Sequence, residues 1–296
     1  MSESNGRRPA RPVMHVWPER LAKVGALDTP ARALAAVAGR IGPGKIKDAL
    51  SGTWLGHALH PFLTDLPIGT WTSATILDVI GGEESAAAAD RLIGAGVLAS
   101  LPTAATGTTE WADTERSDEN VRRIGVVHAT ANVVALGLFT GSLLARRRGN
   151  RARGKALSFA GMGALTVGGH LGGHLSYAKG VGVDQTTFER RPTDWRRALG
   201  AAELGEGERR LVDVEGVGVV VGREQGRLYA LANRCCHRGG PLHMGTVADG
   251  AITCPWHGST FRIEDGSVVR GPAAYPQPVY DVRVEDGVIE VRARAV

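Results

Sequence analysis

Two short segments in the C-terminal third of this 296-residue chain combine cysteine with histidine. Cys235 and Cys236 are followed at once by His237, and Cys254 precedes His257 by three positions. The pattern is C-x-H, sixteen residues, then C-x-x-H. Two thiolates and two imidazoles can bind one zinc ion tetrahedrally. The same four groups can hold a [2Fe–2S] cluster, with cysteine on one iron and histidine on the other. The spacing therefore indicates a metal site and leaves these two interpretations open.

The residues around the two segments make the pattern more specific. Residues 235–242 read CCHRGGPL and residues 254–261 read CPWHGSTF. Both resemble the cluster-binding loops of the Rieske family, and the resemblance extends over about 209–291 with the flanking strands. It implies a small all-β fold that carries a [2Fe–2S] cluster at its tip, and a structural zinc site is the alternative.

The resemblance implies a role for each polar residue of the loops. It places Cys235 and Cys254 on one iron and His237 and His257 on the other. Ser259 could donate a hydrogen bond to a cluster sulfur. Cys236 falls at the variable position, so we expect a small loop residue and not a ligand. His243, between the two ligand pairs, is expected at the surface.

The loops also depart from one branch of the family. Respiratory-type Rieske proteins add a cysteine to each loop and join the two in a disulfide, but here the corresponding residues are Gly240 and Trp256. Phe261 stands where that type has a tyrosine. Fewer hydrogen-bond donors stabilise the more negative reduced cluster less. We therefore expect a potential toward the lower part of the Rieske range of about −150 to +300 mV, as in the ferredoxin and oxygenase types.

Alternating apolar residues predict the strands that hold these loops. The predicted strands are Arg209–Val214, Val217–Arg223, Arg227–Ala232, Val279–Val284 and Val288–Val291. Between the last two, Asp286-Gly287 is a strong hairpin signal. Short strands with glycine turns predict a small all-β domain. We assign residues 199–296 to this Rieske domain and residues 186–198 to a polar linker.

The preceding part of the chain contains long apolar runs. They are Phe62–Ile80, Leu92–Gly107, Ile124–Ala145 and Ala156–Ala178. About 20 apolar residues cross the hydrocarbon core of a bilayer. Together the runs predict an α-helical, four-span membrane bundle over residues 52–185, with a soluble bundle of apolar helices as the alternative. Residues 55–69, LGHALHPFLTDLPIG, resemble an uncharacterised bacterial family of four-helix membrane domains, which implies no known chemistry.

Two features of the runs bear on this prediction. Asp65 and Asp78 fall near opposite ends of the first run, where a charge is tolerated best. In the last run, the glycine pairs 168/172 and 169/173 have the spacing that lets membrane helices approach closely.

Five histidines lie in the same half of the chain. They are His57, His60, His128, His170 and His174. With four spans, all five would gather at one membrane face, and ionisable residues in membranes are functional candidates by default. We weigh a redox or cofactor site, such as haem b or a quinone pocket, against hydrogen bonding between helices.

Composition and charge argue against a disulfide-rich protein and against a nucleic-acid partner. Three cysteines cannot form a disulfide framework. The net charge of +5 is not spread along the chain, because from Trp195 onward 13 basic residues face 13 acidic ones. A basic flank of a membrane domain explains the excess, and no nucleic-acid partner is expected. Residues 1–51 form a polar segment in which Pro30–Ile41 could be a short helix. Arg7-Arg8 is followed by no apolar run, so we expect no export signal.

Orientation in the membrane follows from two opposing signals. The segment Arg146–Lys155 has six basic residues in ten, which by the positive-inside rule is cytoplasmic and would put the Rieske domain outside. The expected absence of an export signal and the free thiol of Cys236 favour the opposite orientation. We expect a multi-pass protein of the cell membrane with its Rieske domain on the cytoplasmic face.

The predicted function is electron transfer. We expect a ferredoxin-like carrier tethered to the lipid bilayer, which passes one electron between a redox partner protein, such as a reductase or an acceptor enzyme, and a second partner or a membrane site. Only five residues follow Val291, and the sequence contains no flavin or nicotinamide fingerprint, so a catalytic domain is not expected. The alternatives are a redox-sensing or assembly subunit and a component of a quinol-linked oxidoreductase.

Overall fold

The structure is a computed structural model that describes residues 13–114 and 118–294. Its helices are α1 (Val13–Leu21), α2 (Asp28–Ala38), α3 (Lys45–Ser51), α4 (Leu59–Ile80), α5 (Ala86–Thr114), α6 (Glu119–Arg147), α7 (Arg151–Gly173), a π-helix (His174–Ala178) and short 3₁₀ turns at Gly25–Leu27, Ala201–Glu203 and Leu242–Met244. A helical N-terminal region is thus confirmed. α2 overlaps the helix predicted over Pro30–Ile41, whereas α1 and α3 lie in the segment that the sequence indicates only as polar. Arg7-Arg8 lies outside the described residues.

Ten strands follow in the described part of the chain. They are β1 (Arg196–Gly200), β2 (Arg209–Val214), β3 (Val217–Glu224), β4 (Arg227–Ala232), β5 (Thr246–Ala248), β6 (Ala251–Thr253), β7 (Thr260–Arg262), β8 (Val268–Arg270), β9 (Val279–Glu285) and β10 (Val288–Ala293). Six form a sheet in the order β1-β10-β9-β4-β3-β2, and β5-β6-β7-β8 form a second sheet. All pairs are antiparallel. The predicted all-β C-terminal domain is therefore confirmed.

Tight turns fix the register of the hairpins. Asp286 and Gly287, between β9 and β10, have φ angles of 48° and 76°. Positive φ at both central residues is typical of the type I′ turn, whose twist matches that of the flanking strands. The turns that join β2 to β3, β3 to β4 and β5 to β6 also have a polar residue followed by glycine, both with positive φ.

The central strands of the larger sheet are buried on both faces. Val220 of β3 packs in one apolar cluster together with both loop cysteines, Cys235 and Cys254. Its neighbours Val219 and Val221 point the other way, into a second cluster with Ile289 of β10. This packing places the two cysteine loops directly on a hydrophobic core.

The four long helices bury polar as well as apolar side chains and also expose apolar ones. Their buried polar side chains are Asp78, Thr103, Thr106, Thr109, Asp113, Arg122, Ser142, Arg146 and Ser158, and their buried apolar ones include Trp71, Ile93, Phe139 and Leu171. Their exposed apolar side chains include Phe62, Leu66, Ile76, Val79, Ile80, Leu98, Leu101, Val133, Val134, Leu144, Phe159 and Val167. Within residues 13–114 and 118–294, α6 is the one helix that is both long and apolar enough to cross a bilayer. The structure thus leaves the four-span topology unconfirmed.

Helices α6 and α7 pack closely against each other. At Gly168 a Cβ atom would lie 2.6 Å from Asn132 Oδ1, and at Gly172 it would lie 3.1 Å from the His128 ring. Nothing lies within 4 Å of the corresponding position at Gly169. Of the two predicted glycine pairs, it is therefore 168/172 that brings α7 against α6.

The chain forms two compact units. Of the described residues, one unit contains 13–37, 71–94 and 118–179, which include α6 and α7. The other contains 38–70, 95–114 and 180–294. The second unit, which we call the cluster unit, thus joins both sheets to α3, the first half of α4 and the second half of α5.

Candidate metal centre

The two loops that carry the cysteine and histidine residues share one construction. The first follows β4, and the carbonyl of Cys235 accepts a hydrogen bond from the N–H of Gly239 at 2.8 Å. The second joins β6 to β7, and the carbonyl of Cys254 accepts from the N–H of Gly258 at 3.1 Å. Gly239 and Gly258 have φ angles of 76° and 78°, which favour glycine. Each turn thus presents one cysteine and one histidine in a fixed direction.

The four candidate ligands are arranged as two pairs. The thiols of Cys235 and Cys254 are buried and form no disulfide, and the Cys235 thiol interacts with the thiols of both Cys236 and Cys254. The rings of His237 and His257 meet edge to face with their centroids 5.2 Å apart. Across the described residues, no group of three or more His, Cys, Asp or Glu side chains could hold a single metal ion. A cysteine pair beside a histidine pair suits a cluster with two irons better than one tetrahedral zinc.

The electrostatics of the pairs also fit a metal cluster. The pKa of the Cys254 thiol is raised, mainly because the thiol is hydrogen-bonded to Cys235 and also because it is buried. Burial, followed by the charge of His257, holds the pKa of His237 well below its usual value. His237 Nδ1 is buried and has no hydrogen-bond partner among the described residues. Buried thiols that ionise when a metal binds and a neutral imidazole with an open nitrogen are the donor set that a [2Fe–2S] cluster requires.

Gly240 and Trp256 occupy the two positions where a respiratory-type protein would have its disulfide. A Cβ atom at residue 240 would lie 2.7 Å from Cys254 Sγ and 3.1 Å from Trp256 Cγ. Residue 240 therefore has to be small, because the cysteine thiol and the indole fill the space beside it. In this chain, packing of the Trp256 ring on Gly240 connects the two loops.

The other loop residues have clear structural partners. Ser259 is fully buried, and its Oγ accepts a hydrogen bond from Ala273 N at 3.0 Å. Cys236 Sγ donates to the carbonyl of Tyr275 at 3.3 Å, so this thiol is held within its own loop environment. His243 is half-buried and hydrogen-bonded to Asn233 Oδ1 at 2.9 Å.

Gln277 is a key residue of the first loop that sequence reasoning missed. Its Nε2 donates to the carbonyls of Ala232 and Arg234, both at 2.8 Å, and its Oε1 accepts from Cys236 N at 2.9 Å. The side chain is 1% exposed. One buried amide thus satisfies three backbone groups on either side of Cys235. Glutamine 41 positions away carried no sequence signal for this role.

Two residues from the helical part of the cluster unit approach His237. Asp113, near the end of α5, has its Oδ2 3.6 Å from His237 Nε2. Its other oxygen, Oδ1, lies 2.5 Å from Lys47 Nζ of α3. The exposed fractions of these side chains are 5% for Asp113, 6% for Lys47 and 16% for His237. A buried ion pair therefore lies directly beside a candidate cluster ligand.

The histidines at the start of α4 contact backbone carbonyls. His60 Nδ1 donates to Thr103 O of α5 at 2.9 Å, where Gly107 leaves room for the ring. His57 Nδ1 lies 3.0 Å from Ala58 O.

The other three membrane-domain histidines belong to the first compact unit, the one that contains α6 and α7. His128 Nδ1 donates to Gly168 O at 2.8 Å and so connects α6 to α7. His170 donates to Met14 O, and His174 donates to Glu19 Oε1, so both rings contact α1. These bonds between helices favour the structural interpretation of the histidines, and nothing in the described residues supports a haem or quinone site among them.

Comparison with known proteins supports a [2Fe–2S] cluster. The chain is 30% identical over 98 residues to ferredoxin CarAc of Metapseudomonas resinovorans, a match that covers 33% of this chain and 92% of the ferredoxin. This chain belongs to the Rieske family. The family model "Rieske [2Fe-2S] domain" matches residues 194–281. The Rieske domain supports a [2Fe–2S] cluster and an iron–sulfur electron-transfer role.

Further relatives and a second family model complete the comparison. Mouse (Mus musculus) apoptosis-inducing factor 3 is 31% identical over 91 residues, 31% of this chain, but the match spans only 15% of that relative. The solved ferredoxin of carbazole 1,9a-dioxygenase from Nocardioides aromaticivorans IC177 is 30% identical over 34% of this chain and 98% of the ferredoxin, with a TM-score of 0.32. Residues 56–185 match the family "Predicted membrane protein (DUF2231)", which supports a membrane localisation for this Rieske protein.

Proposed function

We propose that this Rieske protein is a membrane-anchored electron carrier that holds one [2Fe–2S] cluster. Cys235 and Cys254 bind one iron, and His237 and His257 bind the other. When bound, the cluster accepts and releases a single electron. The observation that carries this proposal is that two loops of one construction each present a buried cysteine and a histidine, with the two histidine rings edge to face.

The surrounding residues shape the centre in this proposal. Ser259 donates its hydroxyl hydrogen toward the cluster, because its oxygen already accepts from Ala273 N. Gly240 lets Trp256 cover the thiols. Gln277 fixes the backbone on both sides of Cys235. Cys236 is not a ligand in this proposal, since it falls at the variable position of the loop; its thiol donates to the carbonyl of Tyr275 and also interacts with the Cys235 thiol.

The helical domain anchors the protein in the lipid bilayer in this proposal. Buried polar side chains and exposed apolar ones on α4 to α7 are the distribution expected where the surrounding solvent is lipid. We assign four spans to residues 52–185, a polar segment to residues 1–51, a linker to residues 186–198 and the Rieske domain to residues 199–296. The Rieske domain faces the cytoplasm, and reporter fusions at residue 149 and at the C-terminus test that orientation.

The redox partners are proteins in this proposal. A solved relative is titled as a complex of reduced oxygenase and oxidised ferredoxin in carbazole 1,9a-dioxygenase. By analogy, a reductase donates to this chain and an acceptor enzyme receives the electron.

A one-electron titration of the full chain in lipid nanodiscs tests the carrier function. Dithionite should reduce the purified protein with one electron per chain, and an added one-electron acceptor should reoxidise it within seconds without loss of the visible spectrum. Cys254→Ser should abolish the redox-active absorbance, whereas the matched variant Cys236→Ser should retain it. Slow reduction coupled to a change in oligomeric state would contradict the carrier and favour a sensor.

A further inference from the structure

We propose that Asp113, anchored by Lys47, is a positioning residue for the cluster ligand His237 and lowers the reduction potential of the centre. Both residues come from helices that precede the Rieske domain in the chain, so the helical segment supplies part of the cluster environment. This inference rests on the proposed [2Fe–2S] cluster and on the ligand assignment given above.

The geometry gives the two oxygens of Asp113 separate partners. Oδ1 lies 2.5 Å from the ammonium of Lys47, and Oδ2 lies 3.6 Å from Nε2 of His237. The carboxylate therefore lies against both the ammonium and the imidazole. Lys47 fixes the orientation of the carboxylate, because a buried carboxylate is held by its charged hydrogen-bond partner.

Burial makes these charges effective. The side chains of Asp113 and Lys47 are almost completely enclosed, so water and salt screen them weakly. A negative charge beside His237 disfavours the addition of an electron to the centre, and the positive charge of Lys47 partly offsets that effect. Removing either charge alone should shift the midpoint potential, and the two shifts should have opposite signs.

A small cavity lies beside this contact. It has a volume of about 30 Å³, and its lining includes Asp113 and Glu110 of α5 together with His237, Arg238 and Tyr275. Residues of the helical segment therefore line the same space as this candidate ligand.

The experiment measures the midpoint potential of the full chain in nanodiscs by EPR-monitored titration. Asp113→Asn should shift the potential upward, and Lys47→Met should shift it downward. The midpoint potential of the double variant should return toward that of wild type, because neither charge remains. Asp113→Glu, which keeps the charge, should stay closer to wild type than Asp113→Asn.

Two controls separate this effect from a general one. Glu290→Gln removes a charge from the exposed pair with Arg283 and should leave the potential near that of wild type. The Asp113→Asn shift should persist at high ionic strength, since the pair is buried.

The outcomes distinguish this inference from the function on which it rests. A wild-type protein without a Rieske EPR signal would refute the proposed function. If wild type gives a normal Rieske EPR signal but the variants have unchanged potentials, or both single variants shift in the same direction, the role of Asp113 is refuted. The proposed function would still stand. If one single variant fails to fold, the remaining single variant and the double variant still decide the sign.

Discussion

The hydroxyl of Ser259 offers a direct test of how this chain sets its redox potential. The side chain is fully buried in the second loop, and its oxygen accepts from Ala273 N at 3.0 Å. That bond fixes the oxygen and leaves the hydroxyl hydrogen to donate toward the cluster. Ser259→Ala removes this donor and changes no charge.

The magnitude follows from the difference between two hydrogen-bond strengths. A bond to a charged acceptor contributes about 1.5–3 kcal/mol, and a bond to a neutral one contributes about 0.5–1.5 kcal/mol. The more negative reduced cluster therefore gains roughly 1 kcal/mol more from the donor than the oxidised one. For one electron, 1.36 kcal/mol corresponds to about 59 mV, so Ser259→Ala should lower the midpoint potential by roughly 40–60 mV.

The assay is the same EPR-monitored titration, with thermal unfolding measured alongside. Ser259→Ala should also lower the free energy of unfolding by about 1–3 kcal/mol, since Ala273 N–H loses its buried acceptor. The matched control is Thr260→Val, which removes the neighbouring hydroxyl bonded to Thr253. The midpoint potential of Thr260→Val should stay within about 10 mV of wild type. That is about a sixth of the ~59 mV that corresponds to a tenfold change in a one-electron equilibrium constant. An unchanged or raised potential in Ser259→Ala would show that the hydroxyl does not donate to the cluster.

Three further predictions test the scaffold. Gln277→Met should destabilise the protein by ~3 kcal/mol or more and reduce its iron content, because three buried backbone groups lose their partners. Gly266→Ala should cost more stability than Gly226→Ala. Both glycines have a φ of +73°, so the backbone strain of the two variants is similar. At residue 266, however, the added Cβ would overlap the carbonyl oxygen of Gln277, whereas at residue 226 it would lie in open space. Asp78→Asn should lower stability in detergent more than Asp90→Asn does, since it leaves the buried Arg146 with the half-buried Asp90 as its remaining carboxylate partner, whereas Asp90→Asn should cost about 1 kcal/mol or less.

Each of these has a contradicting result in chemical or thermal unfolding. Full iron content and normal stability in Gln277→Met would show that the loop holds itself. Equal losses in the two glycine variants would mean that the backbone near residue 266 relaxes without cost. A stable Asp78→Asn variant would show that the arginine finds another partner.

The long strands of the Rieske domain could be predicted from sequence because each repeats the two-residue alternation several times. β2 to β4 and β9 to β10 begin at the predicted residues. The four-stranded sheet could not be predicted, because three-residue strands such as β6 are too short to show a period. β1 begins with two arginines, Arg196 and Arg197, and looks like part of the polar linker.

The ligand candidates could be found from sequence because thiol and imidazole at fixed spacing are rare and chemically specific. Their supporting residues could not. Gln277 acts on Cys236 from 41 positions away, and Asp113 reaches His237 only through the packing of α5 in the cluster unit. A polar residue in a loop or near a helix end carries no signal of its tertiary partner.

For the membrane histidines, residue type alone does not distinguish a cofactor site from contacts between helices. Residue type made His128 and His174 candidates for a cofactor site, since ionisable groups in apolar helices are rare. In the structure their ring nitrogens bond to Gly168 O and to Glu19, so helix contacts account for them. Hydrogen bonding within the protein satisfies an imidazole as well as a cofactor does.

Metal and sulfide analysis of the full chain, purified in detergent and combined with EPR of the reduced protein, tests the central claim most directly. The account predicts two irons and two acid-labile sulfides per chain, as the [2Fe–2S] formula requires, with a Rieske-type signal. Cys235→Ser and His257→Ala should lose that signal, and Cys236→Ser should keep it. One zinc per chain without sulfide would contradict the account.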